Sequence, residues 1–244
     1  MKRLGIVVPV YNEGDQLLPW LQQVASYLHE GDRLVVVDAS DASNESYASE
    51  TAPTESLKDF IANHQTLHYL TADKGRAVQM NAGAEYLLAS DDFKPDFLWF
   101  LHCDSGLSKH HLNYLHRLDA QFTWGRFDVH LSPHSFPSII ISTFINLRSR
   151  LTQVMTGDQG IFIRTDIFQQ FGGYANIPLM EDIEISKRLR NIAQADCSGP
   201  VLKTSARRWQ KHGWVKTVLL MWQLRFMYWY GVSADKLVKK YYAK

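Results

Sequence analysis

The chain has 244 residues, with 26 Lys and Arg against 25 Asp and Glu, so its formal net charge is +1. Apolar residues make up 45% and charged residues 21%, which is typical of a globular protein and excludes collagen-like, disordered and coiled-coil chains. Two cysteines are too few for a disulfide framework or a four-cysteine zinc site. No stretch reaches the roughly 18 apolar residues of a membrane span, and the apolar run near the N-terminus is too short for a signal peptide, so we expect a cytoplasmic protein.

The small net charge hides an uneven distribution. Residues 201–244 contain ten Lys and Arg and a single acid, Asp235, a net charge of +9 that leaves residues 1–200 at −8. A basic segment on an acidic body indicates that the segment faces phosphates, either of a ligand or of a lipid surface. For the last few lysines, a solvated helical face is the interpretation that we favour.

The first hundred residues alternate strand and helix patterns. Continuous apolar runs predict strands buried on both faces, and apolar residues at helical spacing predict amphipathic helices. Strands are predicted at 4–10, 34–37, 67–70 and 97–101, helices at 16–29 and 75–90, and a polar loop entering a helix at 39–55. This alternation predicts a parallel sheet with helices on both faces.

The second half of the chain is less regular. Helices are predicted at 107–118, 139–155, 166–171 and 181–192, and strands at 124–131 and 160–164. The helix at 139–155 is strongly apolar. The sequence contains no internal repeat and no low-complexity segment.

Polar residues follow three of the predicted strands at the point where each ends. Tyr11-Asn12-Glu13 follows the first strand, Asp38 the second and Asp104 the fourth. Ligands of open parallel α/β sheets bind outside the carboxyl ends of the strands. Asp38 or Asp104 alone is also explained as a helix N-cap, but three polar groups at one sheet edge indicate a polar-ligand site.

The turn after the first strand lacks the two common phosphate-binding patterns. It contains neither Gly-x-Gly-x-x-Gly nor Gly-x-x-x-x-Gly-Lys-Ser/Thr. If a nucleotide binds here, a metal ion or basic side chains must neutralise its diphosphate.

Four short motifs occur in order along the chain. They are Val8-Pro9-Val10-Tyr11-Asn12-Glu13, Val36-Val37-Asp38-Ala39-Ser40, His102-Cys103-Asp104 and Glu181-Asp182. In this order they resemble the motifs of the family 2 glycosyltransferases, and the match covers most of the chain. The resemblance implies an inverting enzyme with the GT-A fold, an α/β fold with a mostly parallel central sheet, helices on both faces and a nucleotide-sugar site.

Further segments resemble one small bacterial subgroup of that family, which is associated with arsenosugar biosynthesis. These segments are 75–84, 157–162, 178–182 and 204–209. The full set is specific for family and fold but does not identify the substrate, and these residues show no arsenic chemistry.

The resemblance implies a nucleoside pocket with a metal site beside it. Pro9, Tyr11 and Glu13 would line the pocket, and Asp38 would hydrogen-bond the base or the ribose. Asp104 corresponds to the last acid of a metal-binding Asp-x-Asp motif. Mg²⁺ needs only one or two protein carboxylates beside substrate phosphates, so Asp104 suffices if the diphosphate completes the shell of Mg²⁺ or Mn²⁺.

Two histidines are candidates for a second metal ligand. His102 replaces the first acid of the Asp-x-Asp motif. As a metal ligand it would favour manganese, but we expect its ring to pack into the sheet. His212, beside the basic motif near the end of the chain, is the weaker candidate.

The resemblance also implies catalytic and phosphate-binding roles. Asp182 corresponds to the general base, and Glu181 either orients the acceptor or caps the helix at 181–192. Asp158, flanked by glycines, lies on a tight loop near donor or acceptor, or in a plain turn. The other donor-side candidates are Arg207, Arg208 and Trp209, which resemble a Gln-x-x-Arg-Trp element with Ser205 in place of its Gln, and Arg76 and Asn81 on the helix at 75–90.

The two candidates on the helix at 75–90, Arg76 and Asn81, are interpreted separately. Arg76 begins this helix, where backbone amides and a guanidinium suit an anion, although a surface salt bridge explains it equally well. Asn81 lies one turn later and is expected to be buried toward the site.

The segment 213–231 combines aromatic and basic residues in one helical pattern. The helix either packs its aromatic face on the domain or a second subunit, or lies in a membrane interface. Leu219, Leu220, Leu224 and Met227 form an ordinary core stripe, so we expect packing and keep peripheral contact with the inner membrane face as the alternative.

The sequence therefore predicts a metal-assisted glycosyltransferase that uses a UDP- or GDP-type sugar and a small or lipid-linked hydroxyl acceptor, without a nucleic-acid partner. We expect a GT-A domain at 1–212, with a nucleotide-binding half at about 1–105 and an acceptor half at about 106–212, and a helical extension at 213–244. A sugar nucleotidyltransferase is one alternative, but it should carry a glycine-rich basic loop after the first strand. A catalytically degenerate protein that binds sugar nucleotides or a membrane surface is the other, and only the incomplete Asp-x-Asp favours it.

Overall fold

A computed structural model describes residues 1–40, 55–119 and 121–242. The predicted loop at 39–55 therefore lies almost entirely outside the described residues. Within them, the strands are β1 (Leu4–Val10), β2 (Arg33–Asp38), β3 (Leu67–Thr71), β4 (Phe97–Phe100), β5 (Trp124–Gly125), β6 (Val129–Ser132), β7 (Phe162–Arg164) and β8 (Leu202–Ser205). The helices are α1 (Gly14–Ala25), α2 (Glu55–Ala62), α3 (Arg76–Ala89), α4 (Lys109–His116), α5 (Phe136–Thr152), α6 (Thr165–Gln170), α7 (Glu181–Leu189), α8 (Arg207–His212), α9 (Trp214–Trp229) and α10 (Ala234–Tyr242).

The central sheet has six strands in the order β3-β2-β1-β4-β7-β5. The first four are parallel, β7 runs antiparallel to β4, and β5 runs antiparallel to β7. A separate two-stranded parallel sheet is formed by β6 and β8. The predicted α/β architecture with a mostly parallel central sheet is confirmed.

Helices cover both faces of this sheet because successive residues of its strands point to opposite sides. On one face, Ile6 and Val8 pack in a core that includes residues of α1, α2 and α4. On the other, Val7 packs in a core that includes residues of α3, α6 and α7. Every residue of β1 is buried, as its continuous apolar run predicts.

Helix α3 lies close against β1 and β2. A Cβ atom at Gly83 would stand 2.5 Å from Val7 Cγ1 and 2.8 Å from Val37 Cγ2, so only a glycine fits there. Nearby, the buried side chain of Gln79 donates from Nε2 to the carbonyl oxygens of Val10 at 2.7 Å and Val37 at 2.8 Å. One amide thus joins the ends of β1 and β2, where the polar motifs begin.

Two parts of the strand prediction were wrong in detail. The predicted strand at 124–131 is two strands in different sheets, because the chain turns away at Arg126, whose buried guanidinium pairs with Asp128. The predicted strand at 160–164 is the shorter strand β7, because Gly160 turns the chain in the left-handed region at φ 58°, and β7 runs antiparallel to β4. The hydrophobic periodicity of the sequence shows neither the break at Arg126 nor the direction of β7.

The expected core stripe of the C-terminal helix was also wrong in part. Leu224 and Thr217 are the buried residues of α9, whereas Leu219 is 60% exposed. Leu220 and Met227 are only partly buried, and they pack with Leu224 around Met180 and Ile183. None of the helices in the described part of the chain is long and apolar enough to cross a membrane.

We predict that Gly83→Ala destabilises the protein. Overpacking a core typically costs about 1–3 kcal/mol, which exceeds the roughly 1 kcal/mol that alanine gains over glycine in a helix. Guanidinium unfolding should show a lower midpoint than wild type. The control is Gly31→Ala, whose Cβ would meet only Arg3 Cγ at 3.8 Å. Equal midpoints for the Gly83 variant and wild type would contradict the close packing of α3 on β1.

Candidate functional site

A cavity of about 580 Å³ opens beyond the carboxyl ends of β1 and β4. Its polar lining includes five acids, Glu13, Asp104, Asp158, Glu181 and Asp182, and three arginines, Arg76, Arg148 and Arg225. Its apolar lining comes largely from α5 and α9. Acids and bases that the sequence places far apart therefore meet in one cavity with an apolar side.

The sequence-predicted residues divide into two groups by their position. Those that line the cavity are Pro9, Glu13, Arg76, His102, Asp104, Asp158, Glu181, Asp182 and Trp209. The cavity lining does not include Tyr11, Asp38, Asn81 or Arg207. The side chains of Arg208 and His212 lie outside the described part of the structure, so their predicted roles stay predictions.

The turn after β1 is held to the end of β2. Asn12 adopts a positive φ of 56°, and its backbone N–H donates to Ser40 Oγ at 2.9 Å. Tyr11 is partly exposed, and Lys74 Nζ lies 4.0 Å from its ring centroid. A flat ring beside a cation suits a nucleoside, although Tyr11 stands beside the cavity and not in its wall.

Asp38 is buried at the end of β2, and both of its carboxylate oxygens are hydrogen-bonded. Oδ2 accepts from Tyr69 Oη at 2.7 Å and Oδ1 accepts from the Ser40 backbone N–H at 2.8 Å. Burial and the bond to Asp38 raise the pKa of Tyr69 well above its usual range, so the phenol stays protonated and holds the carboxylate in place.

Asp104 and Asp158 form the acidic side of the cavity. Asp104 follows β4 and is open to the cavity, yet desolvation by the surrounding walls raises its pKa. Arg207 and Arg76 oppose that rise, and the charge of Asp158 adds to it. Asp158 Oδ1 is buried without a hydrogen-bond partner among the described residues. Two carboxylates with unused oxygens are donors that Mg²⁺ or Mn²⁺ prefers.

The donor set suits a metal only if the substrate supplies ligands. In the described part of the chain, no group of three or more His, Cys, Asp or Glu side chains is placed to hold a metal ion. Desolvation and the charge of Arg76 lower the pKa of His102 to about 3, so its imidazole is neutral. His102 Nε2 would lie 3.0 Å from a Cβ at Gly157, so its ring lies against the loop that carries Asp158. The residues present therefore fit a metal ion that is completed by phosphate oxygens.

Glu181 and Asp182 begin α7 and line the same cavity. Glu181 is 3% exposed, and Arg76 Nη1 lies 3.9 Å from its Oε1. Burial, with the charge of Asp182 adding to it, raises the pKa of Glu181 to about 7. Asp182 Oδ2 accepts the backbone N–H of Gly157 at 2.9 Å. The pair thus places a carboxyl group in fixed orientation beside a group that changes protonation near neutral pH.

The backbone before α7 is strained at the residue that sets this pair in place. Met180 has a φ of 72°, which is uncommon for a residue with a side chain. Left-handed residues of this kind cluster at functional sites, where the surrounding packing holds them. Here Met180 is buried with Ile183 and Leu224, so the core between α7 and α9 fixes the direction in which Glu181 enters the cavity.

The basic motif of α8 lies beside the cavity. Arg207 Nη2 lies 3.8 Å from Glu13 Oε2, and burial raises the pKa of Glu13 despite this charge. Trp209 lines the cavity and stacks on Trp214, with ring centroids 6.1 Å apart. The helices α8 and α9 therefore contribute to the cavity wall, in agreement with the ligand-facing position that the basic C-terminal segment predicts.

The expected position of Asn81 was wrong. Its amide donates to the carbonyl oxygen of Tyr174 at 2.8 Å and accepts the Tyr174 N–H at 2.9 Å. A Cβ at Gly173 would approach Asn81 Oδ1 to 2.6 Å. Asn81 holds the turn at 172–174 and makes its hydrogen bonds there, outside the cavity.

Arg148 is a cavity residue that sequence reasoning missed. Its Nη1 donates to the Val154 carbonyl oxygen at 2.7 Å, while Nε and Nη2 are buried without a partner among the described residues. Desolvation and the charge of Arg225 lower its pKa to about 10. An arginine inside the strongly apolar stretch at 139–155 was the available signal, since such a charge is costly unless something pairs with it.

Comparison with solved structures finds the same fold at low sequence identity. PcManGT, a mannosyltransferase of Pyrobaculum calidifontis solved with GDP-Man and Mn²⁺, matches with a TM-score of 0.62 and 15% identity over 92% of this chain and 60% of that one. Residues 1–349 of S. aureus TarS match with a TM-score of 0.60 and 14% identity, over 84% of this chain and 61% of that one. Glucosyl-3-phosphoglycerate synthase of Mycobacterium tuberculosis matches with a TM-score of 0.50 and 12% identity, over 84% of this chain and 70% of that one.

These likenesses establish the class of fold to which the chain belongs. The chain has the GT-A fold, and it spans about 60% of the length of the first two structures. No family model and no curated protein matches the sequence.

We predict that Glu181 makes stability fall with rising pH. Its pKa is about 7 in the folded protein against 4.5 unfolded, so the folded state holds the extra proton between these values. Its contribution is complete below pH 4.5 and is lost as the pH rises through 7, on the order of 3 kcal/mol. Urea unfolding of Glu181→Gln should lack this loss. Glu85→Gln, at an exposed position, should show the same pH dependence as wild type. If the difference in unfolding free energy between wild type and Glu181→Gln stays constant with pH, the assignment is contradicted.

Proposed function

We propose that the protein is an inverting glycosyltransferase that moves a sugar from a UDP- or GDP-type nucleotide sugar to a hydroxyl acceptor. The observation that carries this proposal is a set of four carboxyl groups in one GT-A cavity. They belong to Asp104, Asp158, Glu181 and Asp182. The ligands of the structural neighbours support it, since these include GDP-Man with Mn²⁺ and UDP-GlcNAc.

The donor side is assigned to the nucleoside and its diphosphate. Tyr11 and Asp38 seat the nucleoside beside Pro9 and Glu13, as the resemblance to family 2 implies. Asp104, with Asp158, would hold Mg²⁺ or Mn²⁺, which neutralises the charge that builds on the diphosphate leaving group. The guanidinium groups of the basic motif and of α3 add further positive charge for the diphosphate, independently of the metal ion.

The acceptor side is assigned to Glu181 and Asp182. The acceptor oxygen attacks the anomeric carbon, the bond from that carbon to the diphosphate oxygen breaks, and the hydroxyl proton passes to Asp182. Attack from the side opposite the leaving group inverts the anomeric configuration. The Gly157 N–H holds Asp182 in orientation, and Glu181, whose pKa is raised to about 7, hydrogen-bonds the acceptor and orients it.

The two alternatives have less support. A sugar nucleotidyltransferase needs a basic, glycine-rich loop after β1, where this chain has Tyr11-Asn12-Glu13. A non-catalytic protein that binds sugar nucleotides is favoured by one observation, the neutral His102 in place of the first acid of Asp-x-Asp. Membership of family 2 and of the arsenosugar-associated subgroup rests on the sequence resemblance alone.

We predict that Asp182→Asn abolishes turnover and leaves donor binding intact. A positioned general base contributes about 10²- to 10⁴-fold, so release of nucleoside diphosphate should fall at least roughly 100-fold. The assay incubates a panel of UDP- and GDP-sugars with Mn²⁺ and an extract of small molecules and lipids as acceptor. The amide oxygen of the substituted side chain can still accept the Gly157 N–H, so the loop should stay in place.

Two further variants make this test specific. Asp235→Asn, on the exposed side of α10, should release nucleoside diphosphate at the wild-type rate. Glu181→Gln should retain more activity than Asp182→Asn, because it removes an orienting group and not the base. Equal rates for Asp182→Asn and wild type would refute the base, and absence of release from every donor by wild type would favour the non-catalytic alternative.

A further inference from the structure

Helix α5 has its polar residues inside and its apolar residues outside. The buried residues of this helix are Ser138, Ser142 and Ser149. The exposed large residues are Phe136, Ile139, Ile140, Phe144, Leu147 and Leu151. A helix on the surface of a globular protein normally shows the opposite arrangement, so this one is expected to face an apolar partner.

The inverted orientation of α5 is fixed by hydrogen bonds to β6. Ser142 Oγ accepts the Leu131 N–H at 3.0 Å, and the Asn146 amide pairs with both backbone groups of Val129, at 2.9 and 3.0 Å. The edge of the small sheet thus uses the polar face of α5 as its partner. Turning the apolar face inward would leave these buried groups unpaired, at a desolvation cost for each of them.

Helix α9 presents a second exposed apolar stripe. Its members recur every three or four residues, as one face of a helix requires. They are Val215, Leu219, Trp222, Phe226 and Trp229, and the exposed Tyr230 follows the helix. We call the exposed residues of α5 and this stripe together the apolar face.

The two halves of the apolar face meet at the cavity. Ile140 and Phe144 of α5 and Trp222 of α9 are exposed to solvent and also line the cavity that holds Glu181 and Asp182. The apolar face therefore continues into the wall of the cavity. Whatever covers this face also borders the path by which an acceptor enters.

The exposed stripe of α9 lies in a basic segment. Residues 207–229 contain five Lys and Arg and no acid, whereas Arg150 of α5 pairs with Asp128. Residues 1–200 carry −8 in total, so the positive charge is concentrated on this side of the sequence. A second copy in two-fold contact would bring the same basic groups together, whereas an anionic lipid surface pairs with them.

We propose that the apolar face docks on an anionic membrane surface, with α5 and α9 lying in the interface and the mouth of the cavity toward the lipid. Trp222 and Trp229 have the amphipathic rings that occupy the headgroup level, and Lys216 is exposed beside them. The helices lie along the surface and do not cross it, in agreement with their length. Docking of this kind needs neither donor nor acceptor.

Flotation of the full chain with vesicles tests this proposal. Wild type should float with phosphatidylglycerol-containing vesicles, bind pure phosphatidylcholine vesicles at least about tenfold more weakly, and dissociate from the anionic vesicles as salt rises. Phe136→Ser with Leu147→Ser on α5, and Leu219→Ser with Phe226→Ser on α9, should each reduce binding at least about tenfold. These four residues lie outside the cavity wall and are exposed, so the fold and nucleotide binding should be unaffected.

Matched controls identify the surface. Ile192→Ser and Val201→Ser replace exposed apolar residues elsewhere and should bind as wild type does. Lys216→Glu should weaken binding to anionic vesicles, whereas Lys58→Glu on α2 should not. Failure of wild type to float, or binding by the α5 and α9 variants equal to that of wild type, would overturn the proposal.

Gel filtration with light scattering tests whether a second copy of the chain covers the apolar face. A wild-type dimer that becomes a monomer in the α5 and α9 variants, without flotation, would assign the apolar face to a second copy and overturn the membrane proposal. Because the vesicle test uses no nucleotide, its failure would leave the proposed transfer reaction standing.

Discussion

The buried amide of Gln79 ties together the two strand ends on which the site is built. By donating to both Val10 and Val37, it fixes the point at which β1 and β2 stop and their polar residues begin. Parallel pairing of β1 with β4 brings a third strand end to the same edge. Gly83 allows α3 to approach closely enough for this bond, so the donor side of the cavity depends on one glycine and one glutamine of the same helix.

The start of α7 depends on the packing of the second half of the chain. Residues of α7 and α9 share a small core with Met180, whose left-handed backbone directs Glu181 into the cavity. Burial then raises the pKa of Glu181 toward neutrality, and Arg76 supplies the nearest opposing charge. The cavity therefore combines polar residues that follow strand ends with a pair of acids that helix packing holds at the start of α7.

Sequence reasoning succeeded where a pattern is local and failed where tertiary contacts decide. The apolar runs of β1 to β4 predict the parallel sheet because buried strands need continuous hydrophobic residues. The break at Arg126 and the direction of β7 depend on partners distant in sequence, and no periodicity reports them. Asn81 and Arg148 show the same limit: polar residues on helices were assigned or overlooked without knowledge of which backbone they meet. The inversion of α5 follows from β6, not from its own composition.

Asp104 is proposed to bind the donor's diphosphate through a divalent metal, and thermal unfolding with added nucleotides tests this role most directly. UDP or GDP with Mn²⁺, at about 100 times its dissociation constant, should add roughly 2.7 kcal/mol and raise the Tm of wild type by roughly 5–10 °C. The shift should require Mn²⁺ or Mg²⁺ and disappear in Asp104→Asn, while the exposed Asp91→Asn keeps it. A shift that is independent of metal, or one that persists in Asp104→Asn, would contradict the account.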